Sequence, residues 1–264
     1  IRFILAYCFL FILKPHTLKL SLKENFLVAL AGLTGVTLYQ FTENLALDFT
    51  TASNVSIIVG ICPIFTALTS QIFLKEKHLS FNFCLGFCLA FVGVVLVSFN
   101  GKINFNLSPK GDILALISAI CWGFYSLFLT MINKKGYNTI LITRKIFFYA
   151  ILFMIPLMIC GVFAENPKST AYVELSSILN AERFSSILNW ILLCFLGIIA
   201  SGFCFVAWNK ACNILGTVKI STGLYLIPVI TIFFAAIFLN EKITLMGAIG
   251  SALTILGLFV SSKR

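Results

Sequence analysis

Long apolar runs decide what this chain can fold into. Nine segments are almost free of charge: Ile1 to Leu13, Phe26 to Leu47, Thr51 to Leu74, Phe81 to Phe99, Ile113 to Ile132, Ile146 to Phe163, Ile187 to Trp208, Val218 to Leu239 and Ile243 to Val260. Most are about 18–24 residues long, the length at which a helix crosses a bilayer. Composition points the same way. Hydrophobic residues make up 60% of the 264, charged residues 11%, and mean hydropathy is +1.04. A soluble domain carries about 45–50% apolar and about 25% charged residues. This chain cannot cover a water-facing surface, which excludes a soluble enzyme, a disordered protein and a secreted disulfide scaffold. The expected fold is an all-α polytopic membrane protein with nine spans in this chain.

Loop chemistry separates the runs, as at Lys14-Pro15-His16, Asn100-Gly101-Lys102, Ser108-Pro109-Lys110-Gly111 and Lys134-Lys135-Gly136. The net charge of +10 would suggest nucleic acid on a soluble protein. Here Lys and Arg sit in the short loops that set membrane orientation, so no nucleic-acid partner is expected. One side of the predicted bundle holds Lys14, Lys19, Lys23, Lys75, Lys77, Lys134, Lys135, Arg144, Lys145, Lys210, Lys219, Lys263 and Arg264, thirteen in all. The other holds Arg2, Lys102, Lys110, Lys168, Arg183 and Lys242, six in all. The positive-inside rule then puts the C-terminus in the cytoplasm and Ile1 near the outer face. It also places the longest loop, Ala164 to Ser186 with Glu165, Glu174 and Glu182, outside.

Nine scattered cysteines (Cys8, Cys62, Cys84, Cys88, Cys121, Cys160, Cys194, Cys204, Cys212) form no C-x-x-C pair and read as small buried hydrophobes. No metal site and no cofactor are expected. The histidines, His16 and His78, both lie in loops, and H-E-x-x-H, Walker A and G-x-S-x-G sequences are absent. An enzyme is not expected, and any driving force must come from a gradient or a partner. The first run does not resemble a cleaved signal peptide, since no small-residue cleavage site and polar mature region follow it.

An internal repeat carries topology. Pro63 to Lys77 reads PIFTALTSQIFLKEK, and Pro228 to Lys242 reads PVITIFFAAIFLNEK, with seven of fifteen positions identical at an offset of 165. At the same offset Asn44 falls on Asn209, Ala46 on Ala211 and Ser56 on Ser221. One gap aligns Gly86 with Gly250 and Gly93 with Gly257, and Arg2 loosely resembles Arg144. Pro63 lies in the third run and Pro228 in the eighth. A shift of five spans is odd, so the copies face opposite ways, as in transporters with inverted repeats. The run Ile113 to Ile132 needs a partner before Ile1. The expectation is therefore an inverted five-plus-five arrangement of which this chain lacks the first helix.

The segments Ala46 to Ser53 (ALDFTTAS), Pro63 to Leu68 (PIFTAL), Phe73 to Lys77 (FLKEK), Gly111 to Ala115 (GDILA) and Cys121-Trp122, with the run from Pro228 to Lys242, resemble the drug/metabolite transporter superfamily, specifically EamA-type ten-helix permeases. The pair Glu43-Asn44 with Asn54-Val55-Ser56 looks like a subset of bacterial members. The resemblance divides the chain into a first EamA repeat, residues 1–100, and a second, residues 111–264. It implies a gradient-driven secondary transporter in the bacterial cytoplasmic membrane, often an exporter of amino acids or other small metabolites. Partners are then a small-molecule substrate and the lipid bilayer, with protons and a second copy of the chain as further candidates. Two rivals stay open: an importer or exchanger of sugar- or nucleobase-like solutes on the same fold, and a non-transport subunit or lipid-moving protein.

Residues for substrate or coupling follow from cost. An intramembrane carboxylate is expensive, about 2.5–3.5 kcal/mol on insertion scales, and Glu43 lies just inside the end of an apolar run. It reads as a cavity carboxylate or, with Asp48 close by, as a hydrated interfacial one. Tyr39 shares its helix face at i, i+4. Asn44 and Asn209 suit a polar solute or a neighbouring helix equally. Asn54 aligns with Lys219, which reads as a snorkelling cation. Trp122, Tyr125 and Tyr225 offer ring faces with a polar handle, and Trp208 does so near a span end, where an interfacial belt is the alternative. Pro63 and Pro228, both mid-span, each free a carbonyl one turn earlier and break the helix.

Overall fold

The computed structural model describes residues 1–99, 108–162, 185–238 and 244–262. Most of the loop Ala164 to Ser186 lies outside those residues, as do Lys102, Lys168, Arg183, Glu241, Lys242, Lys263 and Arg264.

Helices form wherever the chain is apolar, because in that solvent the backbone must satisfy its own N–H and C=O groups. They are α1 (Arg2–Leu13), α2 (Leu22–Gly32), α3 (Tyr39–Phe49), α4 (Ala52–Val59), α5 (Cys62–Leu74), α6 (Phe81–Phe99), α7 (Pro109–Asn133) and α8 (Thr139–Val162). The chain continues with α9 (Ile187–Cys194), α10 (Cys204–Leu215), α11 (Thr217–Ser221), α12 (Leu226–Phe238) and α13 (Leu245–Ser262). Several elements merge into longer rods. A π-helical stretch, Leu33–Leu38, joins α2 to α3, and another, Phe195–Phe203, joins α9 to α10. Among the described residues, seven helical rods are long and apolar enough to cross a membrane: Leu22–Phe49, Asn54–Leu74, Phe81–Phe99, Pro109–Asn133, Thr139–Leu157, Ile187–Leu215 and Thr217–Phe238. Arg2–Leu13 and Leu245–Ser261 are apolar but shorter.

Local chemistry sets the ends. Ser21 accepts from the Glu24 backbone N–H while Glu24 reaches back to the Ser21 backbone, a reciprocal capping box at the start of α2. Thr51 caps α4 by accepting from the Asn54 backbone. Lys75, left-handed at φ 57°, stops α5. Gly136, at φ 71°, makes the turn between α7 and α8, where a side chain would be strained.

The chain forms two compact units, residues 1–37 with 128–214 and residues 38–127 with 215–264. Each unit therefore joins two segments that are distant in sequence.

In the first unit α2 and α1 both pack on α8, and α1 also packs on the π-helical stretch 195–203. Polar bonds tie these helices. Buried Arg144 donates to the carbonyls of Lys14 (2.5 Å) and His16 (2.6 Å), capping the negative end of α1. Arg2 donates to Ser201 Oγ at 2.6 Å, Thr37 Oγ1 to the Ala150 carbonyl at 3.1 Å, and Asn209 Nδ2 to Thr143 Oγ1 at 2.9 Å. Tyr137 OH donates to Glu24 Oε1 at 2.8 Å.

In the second unit α6 and α13 run antiparallel in contact along their length. Glycines make that possible. A Cβ on Gly86 would lie 2.6 Å from the Gly257 carbonyl oxygen, and one on Gly93 would lie 2.6 Å from that of Gly250. Such backbone approach is how helices gain packing energy where no hydrophobic effect acts between them. α4 rests on α6, and Ala67, Phe83 and Val218 form a small core where α5 meets α11.

Candidate functional site

Residues of α3, α5 and α7 build one polar and aromatic cluster in the second unit. α3 and α7 lie antiparallel in a steady register. Gly111 sits against Thr50, Ala115 joins Ala46 and Val55 in a core, and the Trp122 ring meets Tyr39. That register brings Glu43 to the level of buried Ser118. Glu43 is half-buried, and its Oε1 accepts from Tyr39 OH at 3.1 Å, one helical turn back. Tyr39 in turn tilts against Trp122 (centroids 5.0 Å apart), and Trp122 against Tyr125 (5.2 Å). Trp122 and Tyr125 are buried.

α5 fixes the far side of this wall. Gly123 lets the α5 backbone at Phe65 come close, with an added Cβ only 2.8 Å from Phe65 Cβ. Thr69 Oγ1 donates to the Gly123 carbonyl at 3.1 Å, and Thr66 Oγ1 to Ser126 Oγ at 3.3 Å. Trp122 and Tyr125 thus stand on a segment of α7 clamped on both flanks. A carboxylate, a phenol and an indole face held this way can accept a cation or a proton and can stack on an organic solute.

Both mid-span prolines sit just after tightened backbone. Before Pro63 the helix is interrupted between Val59 and Cys62, with Ile61 N–H donating to Ile58 O at 3.0 Å and Ile64 N–H to Ile61 O at 2.9 Å. Before Pro228 the stretch Thr222–Tyr225 is 3₁₀-helical. The ring of Tyr225 is buried against Phe87 (6.3 Å), and its hydroxyl has no hydrogen-bond partner among the described residues. Cys62, buried beside Pro63, lies within electrostatic reach of both Glu43 and Tyr225. Nothing in the amino-acid pattern singles out Cys62 beyond its place next to a proline.

The remaining candidates lie elsewhere. Asn54 Nδ2 donates to Thr50 Oγ1 at 3.1 Å and so ties down the turn between α3 and α4. Asn44 is exposed, on a different flank of α3 from the buried Thr42 and Ala46. Asn209, fully buried, belongs to the first unit with Thr143. Trp208 is half-buried on the same helix as Asn209. No group of three or more His, Cys, Asp or Glu suited to a metal ion occurs among the described residues.

A bundle of membrane-spanning helices with a carboxylate set inside it has the build of a polytopic membrane protein that handles small solutes. The chain belongs to the EamA-like transporter family, whose profile matches residues 1–99 and 109–263. An Archaeoglobus fulgidus protein described as an uncharacterized transporter is 30% identical over 240 residues, covering 90% of this chain and 76% of its own length. A Streptantibioticus cattleyicolor protein named "Probable terminal-alkyne amino-acid exporter" is 24% identical, covering 90% of this chain and 73% of its own. A crystal structure of a protein with 18% identity superposes with a TM-score of 0.75 over 99% of this chain and 84% of its own, a likeness of fold alone.

Proposed function

We propose that the chain is a gradient-driven secondary transporter of the cytoplasmic membrane that exports amino acids or other small metabolites by alternating access. The observation that carries this reading is Glu43, a half-buried carboxylate on a membrane-spanning helix, bonded to Tyr39 and set beside the Trp122–Tyr125 wall. A carboxylate on a membrane-spanning helix is costly to insert and is by default a candidate for an ion or substrate path. Glu43 takes up a proton or the positive group of the solute. Trp122, Tyr125 and Tyr225 contact the rest of the solute, and the breaks at Pro63 and Pro228 let the flanking helices bend. Export, as opposed to import, draws on the amino-acid exporter among the relatives.

An inverted repeat supports alternating access, and local geometry supports the repeat. At the offset of 165, the π-helical stretch 33–38 falls within 195–203, Gly32 falls on Gly197, and the break before Pro63 falls on the 3₁₀ turn before Pro228. The pair Gly86–Gly257 exchanges with Gly250–Gly93 when the halves are exchanged, as a two-fold axis between α6 and α13 requires. The C-terminus is then cytoplasmic, by the asymmetry of Lys and Arg.

The test compares metabolites in cells and medium for wild type, Glu43→Gln and Glu43→Asp at equal membrane abundance. The expected result is a solute that accumulates outside with wild type, at least tenfold less with Glu43→Gln, and to an intermediate level with Glu43→Asp. Unchanged flux and unchanged pH dependence in Glu43→Gln would remove Glu43 from the coupling path. A solute drawn from the medium would reverse the direction.

A further inference from the structure

A second site lies in the first unit, where α2 starts beside α8. A groove of about 510 Å3 opens there, lined by Leu22, Lys23, Asn25, Phe26, Ala29 and Tyr149. Its lining divides by chemistry. Leu22, Phe26 and Ala29 present an apolar strip, with Leu22 and Phe26 strongly exposed. Lys23, Asn25 and Tyr149 line a polar end, and Lys145 of α8, just outside the lining, bonds to Asn25 there.

Lys145 is the informative residue. It sits six positions into α8, half-buried, and its Nζ donates to Asn25 Oδ1 at 2.7 Å. Tyr149 OH donates to the same oxygen at 3.2 Å, and Asn25 Nδ2 donates to the carbonyls of Leu20 and Ser21. A neutral amide therefore receives an ammonium whose charge it cannot cancel. Among the described residues no carboxylate lies within ion-pair distance of Lys145, and the neighbouring Glu24 is taken by Ser21 and Tyr137. A half-buried cation near the start of a membrane helix that meets only neutral groups among the described residues attracts an anion. Lys23, exposed on the adjoining turn of α2, adds a second positive charge to the same rim.

We propose that this groove binds an anionic phospholipid, its phosphate between Lys145 and Lys23 and the start of an acyl chain along Leu22, Phe26 and Ala29. Basic pockets between membrane helices hold anionic headgroups in this way, and charge complementarity selects such a lipid over a zwitterionic one. The exposed apolar strip distinguishes a lipid from free phosphate, which would leave Phe26 and Leu22 unused. The site is independent of the transport reading and stands whatever the solute.

The test uses the purified chain in a zwitterionic detergent, titrated with phosphatidylglycerol or phosphatidylcholine of matched acyl chains, with retained lipid counted by native mass spectrometry. Wild type should retain one phosphatidylglycerol in clear preference to phosphatidylcholine. The preference should fall about fivefold for each lysine neutralised in Lys23→Gln and Lys145→Gln and vanish in the double variant. Lys219→Gln, in the second unit, should leave it intact, and millimolar inorganic phosphate should not displace the lipid. Lys23→Gln guards against misfolding, since that side chain is exposed, and melting in the same detergent should match wild type. Equal retention of the two lipids, a preference that survives the double variant, displacement by phosphate, or a second copy of the chain in place of lipid would each overturn the proposal.

Discussion

Both units bring helices close at glycines, as at Gly32 against the Ile146 backbone in the first, but they differ in how much side chains add across the contacts. In the first, charged and amide side chains reach across: Arg144 to the end of α1, Arg2 to Ser201, Lys145 to Asn25, Asn209 to Thr143. In the second, backbones touch: α6 with α13 through glycines, α7 with α5 at Gly123, with small hydroxyls such as Thr66 and Thr69 filling in. The difference teaches where polar chemistry is free to do something else. Where helices meet backbone to backbone, no charged side chain is used up in the contact, and Glu43 with its aromatic neighbours stands in that unit. Where side chains form the bonds, nearly every charge has a structural task, and Lys145 spends its ammonium on a neutral amide beside an open groove.

The largest test of this contrast is Gly257→Val. Its Cβ would lie 2.5 Å from the Gly86 carbonyl oxygen, and backbone cannot move aside as a side chain can. The cost should reach or exceed the top of the ~1–3 kcal/mol range for overpacking, read as loss of a folded monodisperse peak or a large drop in melting temperature. Arg144→Gln comes next. It leaves the carbonyls of Lys14 and His16 without their charged donor, at about 1–3 kcal/mol, and should lower the melting temperature without touching solute flux. If Arg144→Gln proved the more damaging of the two, backbone contact would not be the stronger device.

The smallest effect is spectroscopic. Tyr137 lies in the turn outside the spans, and the hydrogen bond to Glu24, with desolvation and the carboxylate's charge behind it, holds its phenol above the ordinary value of about 10. The bond needs the protonated phenol. Its contribution is therefore complete below pH ~10 and lost as pH rises through the raised value. A difference titration against Tyr137→Phe should find that transition, and Glu24→Gln should move it down. No movement would leave the Tyr137–Glu24 bond without consequence for the first unit.

The positions of the helices are legible in the sequence because long apolar runs permit little else in lipid. Seven of the runs overlap helical rods long and apolar enough to span, with ends moved where caps such as Ser21 and Thr51 act, and Ile1 to Leu13 and Ile243 to Val260 overlap shorter helices. Helix contacts are far less legible. A helix apolar all round, as α8 is apart from Thr143, Arg144 and Lys145, carries no stripe to say which face meets a neighbour. In sequence Arg144 shows only a loose likeness to Arg2, and its carbonyl partners, more than 120 residues away, are invisible there. For the site, the i, i+4 spacing of Tyr39 and Glu43 is local and could be read directly. The meeting of Tyr39 with Trp122 depends on the α3–α7 register, which Gly111 and Ala115 set through their small size. Repeat equivalence also has limits: Asn44 is exposed whereas Asn209 is buried, because each answers to its own neighbours.

The π-helical stretch at 33–38 has a consequence for phase. A wider turn holds one residue more than an α-turn, so every side chain after it is rotated by about 100° relative to an uninterrupted α-helix. One continuous rod thus shows Gly32 to α8 in its first half and Tyr39 to Trp122 in its second. Excising a single residue from Leu33–Leu38 would keep the rod's composition and nearly its length while turning Tyr39, and Glu43 bonded to it, away from the Trp122 ring. In this rod a one-residue deletion is a rotation, and the angular position of the carboxylate is written in a residue that need never touch it.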